Sequence, residues 1–283
     1  MRFGVLPPTW RTTLTASLVL CATAPLAPPA WAFSLEGRPQ QGGLMFGQAA
    51  PGSEVRLDGA PLMVSADGRF VFGFGRDDTG TVTLEVNEPG AEPARRALTI
   101  ATRDYDIERI DGLPPATVTP PPEVLERTRR EAGLVRQARA RRDDRTDWAE
   151  GFAWPASGRL SGFYGSQRVL NGEPRRPHYG VDVAAPEGTP VTAPAPGIVT
   201  LAEPDLYYSG GTLIIDHGQG LSSTFLHLSE VLATPGDRVE QGDLVGRIGA
   251  TGRATGPHLD WRMNWFDKRV DPQPLAGDMV TAE

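Results

Sequence analysis

The chain is poor in the residues that usually carry reactive chemistry: it has one cysteine, one lysine and four histidines among 283 residues. Each scarcity excludes something. Cys21 has no second cysteine to pair with, so there is no intrachain disulfide and no cysteine cluster to hold a metal. Lys268 is the only lysine, so nearly all positive charge sits on arginine. The formal net charge of −7 gives no general attraction to nucleic acid. Aromatic residues make up only 7% of the chain, while 33 glycines and 27 prolines favour strands and turns over long helices.

The one strongly apolar run, Leu14 to Ala24, is too short to cross a bilayer. It follows Arg2 and Arg11 and precedes Ala30-Trp31-Ala32, a small-x-small cleavage pattern. Residues 1–32 therefore read as a cleavable secretory signal, with a mature chain starting at Phe33. The break at Pro25 argues against a retained anchor, and Leu20 before Cys21 is too large for a lipid-attachment site. Losing two arginines takes the formal charge from −7 to −9. The expected location is the periplasm or the exterior of a Gram-negative envelope, with no stable membrane insertion after cleavage.

Beyond that segment the pattern is mostly β. Residues 33–102 alternate strand-like runs, such as Thr81-Val82-Thr83-Leu84-Glu85-Val86, with turn signals at Asp58-Gly59, Asp67-Gly68 and Asp78-Thr79-Gly80. They predict a small β-sandwich-like module, of immunoglobulin-like kind, with no evident chemistry. Residues 103–148 read as a linker. Leu113-Pro114-Pro115 and Pro120-Pro121-Pro122 are stiff, and a helix is expected from Glu123 to about Arg142, with Val124, Thr128, Ala132 and Val135 on one face. Its many arginines are expected to lie in water, paired with Glu123, Glu126 and Glu131. Residues 149–283 form the second domain, with short strands such as Gly197–Leu201 and Thr212–Asp216 between glycine-rich turns.

All four histidines fall in that domain: His178, His217, His227 and His258. His217 follows a buried strand and precedes a turn at Gly218, which suits a hydrogen-bonded packing residue. The other three sit in short segments flanked by glycine, proline or β-branched residues. In a strand, His258 and Asp260 point to the same side. His178 and Asp182 would be about 13 Å apart in a straight strand, but Pro177 and Gly180 suggest a bend that brings them together. His178, Asp182 and one residue of the 258–260 pair would make three ligands with an open fourth position, as a catalytic zinc requires. Such an ion would bring the pKa of a bound water to near 7, leaving the remaining histidines to move protons or stabilise an oxyanion.

The segments His178-Tyr179-Gly180-Val181-Asp182, Ala185-Pro186-Glu187-Gly188-Thr189-Pro190-Val191, Asp216-His217-Gly218, Phe225-Leu226-His227-Leu228, and Gly249-Ala250-Thr251-Gly252 through Thr255-Gly256-Pro257-His258-Leu259 occur in an order that resembles the M23 zinc metallopeptidases of lysostaphin and LytM type. The likeness runs from Gly162 to Pro272. It implies an antiparallel β-sandwich or half-barrel peptidase domain that binds one Zn2+ per chain. It also implies that His178 and Asp182 are the first two ligands and that His227 and His258 are catalytic histidines outside the ligand set. The family's third ligand is the second histidine of a His-x-His pair, and here that position is Asp260. Two aspartates and one histidine would cancel the zinc charge.

The activity implied is endopeptidase cleavage of cross-link or stem peptides in peptidoglycan. The alternative is an inactive member that binds peptidoglycan or activates a cell-wall amidase or another division or envelope protein, since lost ligands mark such regulators. The stretch Pro235 to Gly249 also resembles biotinyl and lipoyl carrier barrels, but Lys268 lies outside the hairpin those domains would modify.

Overall fold

Alternation with period two sets the first half of the molecule. The computed structural model describes Met1 and residues 33–110, 122–170 and 172–279. The expected signal segment and the prolines from Leu113 to Pro121 lie outside the described residues. Strands β1 (Ser34–Gly37), β2 (Leu44–Gln48), β3 (Glu54–Leu57), β4 (Ala60–Pro61), β5 (Arg69–Gly73), β6 (Thr81–Asn87) and β7 (Ala94–Thr99) form two antiparallel sheets, β1-β2-β5 and β4-β3-β6-β7. They close on one core containing Phe70, Phe72, Phe74, Leu84 and Val86. Strand β5 is buried on both faces. Phe70 and Phe72 point into that core, while Val71 turns the other way and joins Leu44 in the core of the larger sheet.

Between these sheets and the rest, β8 (Ile107–Ile110) pairs in parallel with β10 (Gln167–Leu170), which in turn pairs with β11 (Glu173–Pro174). Helix α1 spans Pro122–Ala138. It ends earlier than the charge pattern predicts, because Arg139 and Ala140 continue only as a closing turn. Asp143 and Arg145 are then drawn to the turn after Asp216: the Gln219 N–H donates to the Asp143 carbonyl, and Arg145 pairs with Asp143, Asp147 and Asp216. Val135 and Ala138 pack on Leu201, Leu206 and Ile214. Ala132, expected on that face, is exposed, and its neighbour Glu131 is turned inward instead, pairing with Arg127 at 2.7 Å and accepting from the Tyr207 N–H at 3.0 Å.

The remaining strands are β9 (Arg159–Gly162), β12 (Gly180–Ala184), β13 (Pro190–Thr192), β14 (Gly197–Leu206), β15 (Gly210–Asp216), β16 (Leu221–Val231), β17 (Arg238–Val239), β18 (Leu244–Ile248), β19 (His258–Trp265) and β20 (Lys268–Val270), with helix α2 at Gln273–Ala276. They build a ten-stranded antiparallel sheet whose main path is β17-β14-β15-β16-β19-β12-β9; β18 bridges β13 and β16. On β19 the apolar residues Leu259, Trp261 and Met263 face the core, fully buried. His258, Asp260, Arg262 and Asn264 alternate with them and so face the opposite side. The architecture is mostly β with antiparallel sheets, as the strand and turn pattern predicts. Among the described residues, no helix is long and apolar enough to cross a membrane.

Candidate metal centre

Strand register brings the candidate ligands together. β12 and β19 are antiparallel, with Asp182 directly opposite Asp260, and β16 places Leu226 on the other side of Asp260. His178 lies just before β12. Its N–H donates to the Ser166 carbonyl, and its own carbonyl accepts from the Gly165 N–H, both at 2.8 Å. This pairing pulls the chain out of line with the strand. His178 Nε2 therefore sits 3.1 Å from Asp182 Oδ1, where a straight strand would separate the two residues. One ligand atom from each of His178, Asp182 and Asp260 lies within 4.8 Å of the others.

The residues fit a divalent cation. His178 Nε2 and Asp182 Oδ1 are buried and have no hydrogen-bond partner, although they face each other. Buried polar atoms are rarely left so, and a shared cation would satisfy both. Two glycines make room for the carboxylates. A Cβ at Gly162 would overlap the Asp182 carboxylate, and one at Gly180 would lie 2.5 Å from Asp260 Oδ1.

The charges also fit. Burial alone would raise the Asp260 pKa, but the Arg262 guanidinium outweighs it and holds the carboxyl below its usual range, so Asp260 is ionised. Burial likewise opposes the charged form of His178, but Asp182 and Asp260 outweigh it and hold the imidazole above its ordinary pKa. A proton on this ring stands where a metal would compete for the same nitrogen.

His227 and His258 lie beside this group with ring centroids 4.7 Å apart. His227 Nδ1 is 2.8 Å from the Thr251 carbonyl, and His258 Nδ1 is 2.8 Å from the Gly256 carbonyl. A carbonyl can only accept, so each Nδ1 carries a hydrogen, and a ring in its neutral form then keeps a lone pair on Nε2. Burial lowers the His227 pKa, which favours that neutral form. His227 has φ of +65°, an unusual conformation for a side-chain-bearing residue. It breaks the alternation of β16: Phe225 and Leu228, three apart, both lie in the core. The His227 N–H donates to the Ser209 carbonyl at 2.8 Å, which ties this kink to the tip between β14 and β15.

His217 is elsewhere. It is fully buried, with Nδ1 2.6 Å from the Pro196 carbonyl and Nε2 2.9 Å from Ser223 Oγ, and its ring meets Phe152 edge-on.

One residue of the site is absent from the motif reading. Arg262 grips Asp260 with a fork: Nε lies 2.9 Å from Oδ1 and 3.0 Å from Oδ2, and Nη2 lies 2.5 Å from Oδ2. The signal for it is in the sequence. The period-two rule that pairs His258 with Asp260 places Arg262 on the same face one step further.

The profile of Peptidase family M23 matches residues 176–272, which span every residue of the site. A crystal structure of a Pseudomonas aeruginosa protein assigned to peptidase M23 is 30% identical with a TM-score of 0.66. That match covers 85% of this chain and 96% of the other, so it extends well beyond the profile segment. The chain belongs to peptidase family M23. Among curated relatives, the peptidoglycan DD-endopeptidase ShyA of Vibrio cholerae is 40% identical over 87 residues, 31% of this chain and 20% of that protein. The DD-carboxypeptidase/endopeptidase Mpg of Neisseria meningitidis is 39% identical over 100 residues, 35% of this chain and 22% of that protein. The chain thus spans about a fifth of the length of these curated relatives.

Proposed function

We propose that the protein is a zinc-dependent endopeptidase that hydrolyses peptide bonds of peptidoglycan in the periplasm, to which the N-terminal signal pattern would direct it. The observation that carries this reading is the convergence of buried ligand atoms: His178 Nε2 and Asp182 Oδ1 lie 3.1 Å apart without a well-formed hydrogen bond, with Asp260 opposite. His178, Asp182 and Asp260 hold one zinc ion per chain. An ion held by these residues would supply Lewis acidity for hydrolysis of a peptide bond.

The chain's own residues do the rest. His227, neutral and with its Nε2 lone pair free, accepts the proton of the attacking water. His258, its ring fixed through Nδ1, donates from Nε2 to the developing oxyanion in its protonated form, and the proton that His227 takes from the water passes to the leaving amine. The hydrogen bonds to Thr251 and Gly256 fix both rings before substrate arrives, so little reorganisation remains at the moment of reaction. The substrate class is supported by ShyA and Mpg, whose names describe endopeptidases, the first of peptidoglycan.

The test uses purified mature protein. Elemental analysis finds about one zinc per chain, and cross-linked peptidoglycan is cut in a chelator-sensitive way. Asp182→Ala holds less than about a tenth of the wild-type metal. Unchanged occupancy in that variant would remove Asp182 from the ligand set. A metal-free, inert wild type that still stimulates a wall amidase would replace the enzyme with a regulator.

A further inference from the structure

The inference concerns Arg262 and rests on the metal-centre reading above. Asp182 and Asp260 are directly opposed across β12 and β19, and like charges so placed repel. Asp260 is 3% exposed, so water does little to relieve it. Arg262, whose side chain is 26% exposed, supplies the missing charge from the same strand face.

The fork also selects an oxygen. Oδ2 accepts from both Nε and Nη2, which occupies its two lone pairs, while Oδ1 accepts from Nε alone. Oδ1 is therefore the oxygen left with a free lone pair, and it is the one that the missing Cβ of Gly180 makes room for. A free carboxylate could turn or bind through both oxygens; this one cannot.

We propose that Arg262 is a positioning residue that holds Asp260 as a single-oxygen ligand, so that Asp260 and Arg262 together take the place and the net charge of a neutral histidine. With a divalent ion, His178, Asp182, Asp260 and Arg262 sum to the same charge as two histidines and one aspartate would.

The surroundings make the two residues interdependent. Arg139 and Arg269 crowd Arg262: desolvation, and then the neighbouring arginines, push both of their pKa values down. Their hydrogen bonds go to neutral groups, Arg139 Nη2 to Thr224 Oγ1 at 2.8 Å and Arg269 Nη1 to Asn264 Oδ1 at 3.1 Å. Asp260 is the carboxylate paired with Arg262, the member of this cluster beside the metal position. Replacing Asp260 by the histidine usual in the family would leave Arg262 without its partner, next to a cation. The substitution that restores the family's ligand set would therefore weaken the site.

The test is zinc affinity, measured by competition with a chromophoric chelator on the full mature chain. Four proteins are compared: wild type, Asp260→His, Arg262→Met and the double variant. Asp260→His binds zinc at least about tenfold more weakly than wild type, from the added unit of positive charge at short range. Arg262→Met weakens binding about threefold when residue 260 is aspartate, because losing the outer partner that holds the carboxylate outweighs the positive charge removed. The same change strengthens binding about tenfold when residue 260 is histidine, because an unpaired cation is removed. This reversal of sign is what a merely structural arginine would not produce. Should Arg262→Met not fold, Arg262→Gln in the same two backgrounds makes the comparison. An arginine replacement that acts with the same sign in both backgrounds, or an Asp260→His that binds zinc as well as wild type, would overturn the inference while leaving the metal centre standing. A wild type that takes up no zinc would overturn both.

Discussion

Lowering the pH should cost this protein stability through His217, a residue outside the metal centre. Its hydrogen-bond chain has a forced direction. The Trp261 indole can only donate, and does so to Ser223 Oγ at 3.3 Å, so the serine hydroxyl turns its own hydrogen toward His217 Nε2. The Pro196 carbonyl can only accept, so Nδ1 carries the ring hydrogen. The neutral ring is therefore satisfied at both nitrogens. A proton on Nε2 would meet the serine hydrogen head-on, in a fully buried site. Burial accordingly pushes the His217 pKa down from its ordinary 6.5 to about 4. The sign follows from linkage. Between these values the unfolded chain binds a proton that the folded one refuses, so the stability contribution is complete above 6.5 and is lost as pH falls toward 4. At about 1.4 kcal/mol per pH unit, that interval carries about 3 kcal/mol. Neighbouring Asp216 acts in the opposite sense: burial, against the pull of Arg145, raises its pKa to about 6, so it favours the folded state as pH falls through that value. The contribution of Asp216 is common to wild type and to a His217→Gln variant and cancels in their difference. Urea unfolding of both proteins from pH 8 to pH 4, in chelator so that metal release does not enter, measures that difference directly. The stability advantage of wild type over the variant should shrink by about 3 kcal/mol between pH 7 and pH 4. An advantage independent of pH would refute the reasoning.

The histidines of the centre behave differently. His227→Ala and His258→Ala should each keep their zinc and lose turnover by about 10²–10⁴-fold, and loss of metal in either would turn that residue into a ligand. Gly180→Ala places a Cβ 2.5 Å from Asp260 Oδ1 and from the Trp261 carbonyl oxygen. Overpacking of this kind costs about 1–3 kcal/mol, and here it should also weaken zinc binding about tenfold; a variant with wild-type zinc affinity would show that Asp260 Oδ1 does not face the metal.

Much of this protein was legible in local pattern. Alternation along Thr81–Val86 and the buried run Thr212–Asp216 are properties of a few successive residues, and both form strands. The short histidine segments are local too, and so is the fork of Arg262 on Asp260, since residues two apart in a strand share a face. What depends on distant residues was not written there. The placement of Asp182 opposite Asp260 is a matter of register between strands far apart in sequence, and the whole sheet sets that register. Pro177 and Gly180 signal a bend before β12, but its aim at Asp182 comes from backbone pairing with Gly165 and Ser166. The left-handed turn at His227 is a strained backbone that no residue preference announces, held by Ser209 and Thr251. The inward turn of Arg139 likewise follows from its partner Thr224 on β16. The sequence by itself determined the strands, the class of fold and the kinds of atom available to hold a metal. Only the tertiary structure decided which of those atoms converge, because convergence is a long-range property of strand register and packing.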